Sequence, residues 1–157
     1  MEVQYIDLFN GEQKNDWFKE INPKQKVPAL KVKDNLVLTE SVVICKYLCH
    51  LAGNVSIYPN NPLAQAQIDE AIEDARIMKW AYFPMTKFFG KPESAEGLKE
   101  VEDSMQSLVD LRFKNGNTFL VGDSITLADI VLAVNISMAT IIGQYNVEAK
   151  YPALIKG

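Results

Sequence analysis

Two short stretches of this 157-residue chain hold side chains whose types and spacing could do chemistry: Lys26-Val27-Pro28 and Thr39-Glu40-Ser41. An X-Pro bond leading into a strand can be cis, and such a turn leaves the N–H and C=O of the preceding residue facing outward. Val27 would then offer its main chain to an extended peptide by strand addition, with Lys26 beside it as a cation for a carboxylate. Thr39-Glu40-Ser41 opens a predicted helix. Ser41 is expected at the N-cap, with free N–H groups and the positive end of the helix dipole behind it, and that is a site for a carboxylate. Glu40 can hold an ammonium next to it. A carboxylate and an ammonium on one carbon are the α-amino acid end of a ligand. Taken singly, Val27-Pro28 is a plain strand start and Glu40-Ser41 a capped helix. The pair at this separation is the specific signal.

Other reactive side chains carry less. His50 is the sole histidine; it sits near a predicted helix end, where a cation suits the dipole, and one imidazole makes neither a metal site nor a triad. Cys45 and Cys49 lie one helical turn apart, where a disulfide constrains little, and they read as buried small hydrophobes. The acidic run Asp69-Glu70 to Glu73-Asp74 reads as a solvated helix face. Trp80, Tyr82, Phe83, Phe88 and Phe89 suit either an apolar pocket or aromatic core. Thr126 at N-cap with Asp129 at N3, flanked by Ile125 and Ile130 at the staple positions, forms a capping box whose role is folding.

These groups need elements to position them. Val3–Leu8 is predicted as a short strand, with Val3, Tyr5 and Asp7 on one face. Asp16–Ile21 is a short helix stopped by Asn22-Pro23, since the residue before proline avoids the helical region. Ala29–Val32 and Leu36–Leu38 are strands joined by a hairpin at Lys33-Asp34-Asn35. Ser41–Ala52 is a helix closed by Gly53 in a left-handed cap. After a linker at 54–62 every element is helical. Ile68, Ile72, Ala75 and Lys79 follow a helical period until Pro84 breaks or kinks it. A second helix carries the stripe Leu98, Val101, Met105, Leu108 and Leu111, and a third, strongly apolar one runs from Leu127 towards Gly143. The domains are expected at 1–53 and 63–157, an α/β head and an all-helical body.

Composition sets the outer limits. Hydrophobic residues make up 48% and charged residues 23% of the chain, with a net charge of −4. An acidic balance of that kind argues against a surface that tracks nucleic-acid phosphates. No apolar run reaches the roughly 18–20 residues of a membrane span, and Met1–Tyr5 has no signal-peptide character. A cytoplasmic address follows as the default.

The stretch Asn22-Pro23-Lys24-Gln25-Lys26-Val27-Pro28-Ala29-Leu30, then a hairpin, then Glu40-Ser41-Val42-Val43-Ile44-Cys45-Lys46-Tyr47-Leu48, resembles the glutathione transferase superfamily, theta-like members in particular. Phe119-Leu120-Val121-Gly122-Asp123 before the capping box resembles the helical domain of the same family. The resemblance implies a partial thioredoxin-like N-terminal domain followed by an all-α domain, with glutathione as substrate and no metal. By carry-over, Val27 binds the cysteinyl backbone at the Pro28 turn, Lys26 faces the glycyl carboxylate, and Glu40 with Ser41 takes the γ-glutamyl end. Gln13 falls where theta-like enzymes often place a His for the glycyl end; it can donate a hydrogen bond but brings no charge. The family's catalytic Ser or Tyr belongs to a strand and helix that precede the segment beginning here at Val3, so no catalytic residue is assigned. The expectation is a fragment, or a divergent subunit completed by a partner. An intact form would conjugate glutathione to hydrophobic electrophiles, as a homodimer. The alternative is a non-catalytic assembly subunit of a larger complex, resembling the transferase-like domain of the elongation factor one gamma subunit.

Overall fold

Asn22-Pro23 ends the first α-helix, α1 (Asp16–Ile21), where the sequence predicts it: Asn22 is extended, with φ −134° and ψ 97°. The computed structural model describes residues 2–77 and 82–155, which form two units, Met1–Gly53 and Asn54–Gly157. In the first unit a 3-10 turn (Glu12–Lys14) leads into α1, whose Phe18 is buried. Strands β1 (Ala29–Lys33) and β2 (Leu36–Thr39) then form an antiparallel hairpin. Its register sets Ala29 opposite Thr39 and Leu30 opposite Leu38, with an irregularity between Lys31 and Lys33. Helix α2 (Ser41–Leu51) follows, burying Ile44 and Cys49, and Gly53 beyond it adopts φ +92°, a conformation glycine enters at no steric cost.

The strand expected at Val3–Leu8 does not form. Val3 is 65% and Tyr5 90% exposed, and the only sheet among the described residues is the two-stranded hairpin. A strand is stable only with a neighbour to take its N–H and C=O groups, and no described segment supplies one. Asp7 instead organises a turn: its carboxylate accepts from the Asn10 N–H (3.0 Å) and from Asn10 Nδ2 (2.7 Å). Those bonds hold the Asp7 carboxyl below its ordinary pKa.

The second unit opens with residues 54–61, where Tyr58 is buried and its hydroxyl donates to Asp69 at 3.0 Å. Helix α3 (Pro62–Ile77) lays Ile68, Ala71, Ile72 and Ala75 into the core, each at most 2% exposed. Lys79 and Trp80 lie outside the described residues, and Pro84 falls within α4 (Tyr82–Lys87). Helix α5 (Ala95–Leu108) is capped by Ser94, whose hydroxyl accepts from the Gly97 N–H at 3.0 Å. A Cβ at Gly97 would lie 2.7 Å from the Tyr82 ring, so that turn admits only glycine without a shift. Val101, Met105 and Leu108 are buried as predicted, but Leu111 is 60% exposed. The helix continues as a π-helical turn (Val109–Phe113), which inserts a residue into the period and turns Phe113 inward in place of Leu111.

Helix α6 (Leu127–Ser137) runs on into a second π-helical turn (Met138–Ile142), followed by α7 (Val147–Lys150) and a 3-10 turn (Pro152–Leu154). The capping box is present. Asp129 Oδ2 accepts from the Thr126 N–H and from Thr126 Oγ1, both at 2.7 Å, and Oδ1 accepts from the Leu120 N–H at 2.8 Å. Ile125 and Ile130 remain exposed, so the box rather than apolar burial fixes the helix start. Across the core, Asn135 Nδ2 donates to the Ala75 carbonyl at 3.0 Å, tying α6 to α3.

The acidic run on α3 meets its solvated reading at Glu70 and Glu73, which are exposed, and departs from it at Asp69 and Asp74, which are half-buried. Asp74 accepts from Arg112 Nε at 2.6 Å, Glu70 lies 3.2 Å from the same guanidinium, and Asp69 holds Tyr58. Asp74 ties α3 to the π-turn and Asp69 ties it to residues 54–61, while exposed Glu73 pairs with Arg76.

Candidate functional site

The ladder register decides what meets at the open end of the hairpin. With Ala29 opposite Thr39, the next residues outward are Pro28 on one strand and Glu40 on the other. Paired Cα atoms in an antiparallel ladder stand about 4.5–5.5 Å apart, so Val27-Pro28 and Glu40-Ser41 flank one end of the sheet. The Val27–Pro28 peptide is cis. Among the described residues no hydrogen bond engages the main chain of Val27, whose side chain is part of a residue 39% exposed.

Asn22 builds the loop that carries Val27. Only 1% exposed, it donates from Nδ2 to the Lys26 carbonyl (2.6 Å) and accepts the Lys24 N–H on Oδ1 (3.1 Å). Its own carbonyl takes the Gln25 N–H at 2.8 Å. A buried amide is stable only when its groups are paired like this. Sequence reasoning read Asn22 solely as a helix stop; the available signal was the habit of Asn side chains to bond main chain two residues on.

The helix start differs from the expected one. Glu40, not Ser41, is the N-cap residue of α2, because the non-helical dihedrals fall on Glu40 (φ 71°, ψ 116°), and no side chain caps the helix. Ser41 is the first helical residue. The first bond closing the helix runs from the Ile44 N–H to the Glu40 carbonyl at 3.0 Å. The N–H groups before it lack an intrahelical acceptor, and they carry the positive end of the dipole. The left-handed φ of Glu40 costs on the order of 1–3 kcal/mol in a residue with a Cβ. Its carboxylate meets Lys24 Nζ at 3.1 Å, and the same ammonium lies 3.4 Å from Thr39 Oγ1.

Lys26 is exposed beside Val27. Gln13 lies on the Glu12–Lys14 turn, and its Oε1 is buried with no hydrogen-bond partner. Holding a carboxylate would require the amide nitrogen rather than that oxygen. The structure therefore unites Lys26, Val27, Pro28, Glu40 and Ser41 at one sheet end, and ties Gln13 to none of them by a hydrogen bond.

The other candidates carry less chemistry. Both cysteines are free thiols, and burial, then the neighbouring Cys45, pushes the Cys49 thiol up, away from a reactive thiolate. Phe83 is buried in the core between Tyr82 and Tyr145, at ring distances of 5.3 and 5.7 Å, while Phe88 and Phe89 are exposed. A cavity of about 290 Å³ in the helical unit is lined by Phe113, Phe119, Ile125, Leu132, Ile136 and Leu154. Its one carboxylate, Asp129, has both oxygens occupied, Oδ2 by the capping box and Oδ1 by the Leu120 N–H. Glu102 accepts from Tyr145 Oη (2.6 Å) and Lys150 Nζ (2.5 Å). Lys150 and then Tyr145 hold the Glu102 carboxyl below its usual range; burial and Glu102 push Tyr145 up to about 12. Among the described residues, no group of three or more His, Cys, Asp and Glu side chains is arranged for a metal, and no helix is long and apolar enough to cross a membrane.

Comparison with known proteins gives this arrangement its class. Residues 1–51 match the family described as glutathione S-transferase, N-terminal domain, and residues 74–156 match glutathione S-transferase, C-terminal domain. Human glutathione S-transferase theta-1 is 35% identical over 143 residues, covering 83% of this chain and 59% of that protein. A delta-class glutathione transferase of Nilaparvata lugens superposes with a TM-score of 0.82 at 25% identity, covering 99% of this chain and 73% of the other. Human glutathione transferase theta-2, solved in complex with glutathione and an unknown ligand, gives 0.80 at 25% identity, covering 99% and 68%. The chain belongs to the glutathione S-transferase family. Its fold is a partial thioredoxin-like domain followed by an all-helical one. It spans about three fifths of the length of the curated relatives it matches.

Proposed function

We propose that this chain carries the glutathione-binding half of a transferase whose intact form conjugates the glutathione thiolate to hydrophobic electrophiles. The observation that carries this reading is the hairpin end, where the uncommitted main chain of Val27 and the uncapped start of α2 flank the same edge. Val27 pairs with the cysteinyl backbone beside the Pro28 turn. Lys26 faces the glycyl carboxylate, with Gln13 contributing a donor there. Ser41 and the first N–H groups of α2 hold the γ-glutamyl carboxylate, and Glu40 holds its ammonium. Conjugation passes the thiol proton to a base and forms one carbon–sulfur bond, while the electrophile either releases a leaving group with its bonding pair or opens a polarised π bond that then takes up a proton. No residue of this chain is assigned to the thiol proton: Tyr5 is 90% exposed, and Ser41 serves the carboxylate. The reading places the protein in the cytoplasm as a homodimer.

Titration calorimetry with glutathione tests it. Losing a charge-assisted hydrogen bond costs about 1.5–3 kcal/mol, so Glu40→Gln weakens binding roughly 10- to 100-fold. A folded chain that takes up no glutathione, variant or not, overturns the reading. That result favours the second one, a non-catalytic assembly subunit, for which the exposed Ile130, Val134 and Ile141 of α6 and its π-turn provide an apolar contact surface.

A further inference from the structure

The proposed ammonium-binding carboxylate already has a cation on it. Lys24 Nζ lies 3.1 Å from Glu40 Oε1 and 3.4 Å from Thr39 Oγ1, so it spans from the loop before Val27 to the start of α2. The base of this side chain is fixed: Pro23 precedes it and its N–H is bonded to Asn22 Oδ1. The ammonium end is in solvent, with the Lys24 side chain 57% and the Glu40 side chain 54% exposed.

We propose that Lys24 is a specificity-determining residue that competes with the ligand's own α-ammonium for Glu40. The inference rests on the glutathione-binding reading above. Binding becomes an exchange in which the ligand ammonium takes the carboxylate and Lys24 moves to water; no covalent bond changes. An exposed ion pair is a weak competitor, so the exchange is easy and the penalty small. A ligand without the amino group leaves Lys24 in place, where it neutralises Glu40 beside the ligand's carboxylate. Lys24 therefore narrows the preference for peptides carrying a γ-glutamyl amine over those lacking it.

The test compares glutathione with glutaryl-cysteinylglycine, which lacks only that amine, by calorimetry on the wild-type chain and on Lys24→Met, Lys24→Gln and Lys24→Arg. Both neutral variants are expected to bind glutathione about two- to fivefold tighter, the range that losing an exposed pair allows. Neither is expected to gain affinity for the analogue, so the ratio of the two dissociation constants widens. Lys24→Arg restores the wild-type ratio. A generic stabilising or destabilising effect would move both ligands together. Weaker glutathione binding in Lys24→Met and Lys24→Gln, or an unchanged ratio, overturns the role of Lys24 while leaving the site intact. No glutathione binding by folded wild type and variants alike overturns the site itself, and this role with it.

Discussion

Two helix starts in this chain solve the same electrostatic problem in opposite ways. At α6, Thr126 and Asp129 close a capping box, and Asp129 also collects the N–H of Leu120. At α2, the N-cap residue Glu40 has a positive φ, no side chain caps the helix, and the carboxylate turns to Lys24. A helix end that has its own acceptors contributes stability and offers nothing to a ligand. One that leaves its donors open gives up that stabilisation and keeps an anion site. The units differ in the same sense. The helical one ties its polar groups across the core, as Asn135 does to Ala75, while the hairpin unit exposes Val27 and its flanks.

The largest expected effect comes from erasing the capped start. Asp129→Ala removes three acceptor contacts, two to main-chain N–H groups, and is expected to cost about 3 kcal/mol, read as a lower urea midpoint. Glutathione affinity measured where the variant remains folded should not change. A loss of both together would mean that the two helix starts are not separable.

A smaller change comes from relaxing the open start. Glu40→Gly removes the Cβ at φ +71° and is expected to raise stability by up to about 1 kcal/mol while weakening glutathione binding. If stability falls, the positive φ is not strained and the contrast with Thr126 loses its energetic basis.

The smallest effect is a pH dependence in the helical unit. Glu102 has a folded pKa lowered by Lys150 and Tyr145, so its contribution is fully present above the unfolded carboxylate value and disappears as pH falls through the lowered one. Tyr145 is raised, to about 12, so its contribution is present below the unfolded phenol value and is lost as pH rises through 12. Urea midpoints of wild type and Glu102→Gln should therefore converge in acid. A constant gap from neutral pH down to full protonation of Glu102 would show that the carboxylate's charge contributes nothing.

What the sequence made legible was local. The stop at Asn22-Pro23, the hairpin, the glycine after α2 and the Thr126–Asp129 box each depend on residues a few positions apart. Where the structure departs from the reading, the cause lies outside that range. Val3–Leu8 has strand chemistry, yet a strand exists only with a neighbour. Leu111 keeps the helical period, but the π-turn at Val109–Phe113 shifts the phase. Ser41 is the better capping residue by type; dihedral angles put Glu40 at that position. The bond from Lys24 to Glu40 joins residues sixteen apart, and only the folded hairpin brings them together.

The contact between Asp129 and Leu120 also has a kinetic side. It closes a ring between residues nine apart in sequence, whereas Asn135 reaches Ala75 across sixty. A loop of about ten residues closes in roughly 10–100 ns, and the entropy of closure grows with length. The Leu120–Asp129 ring is therefore expected to be in place at the folding transition state, with the α3–α6 tie consolidated afterwards. Removing the Asp129 carboxylate should slow refolding more than it hastens unfolding, and removing the Asn135 amide should do the reverse.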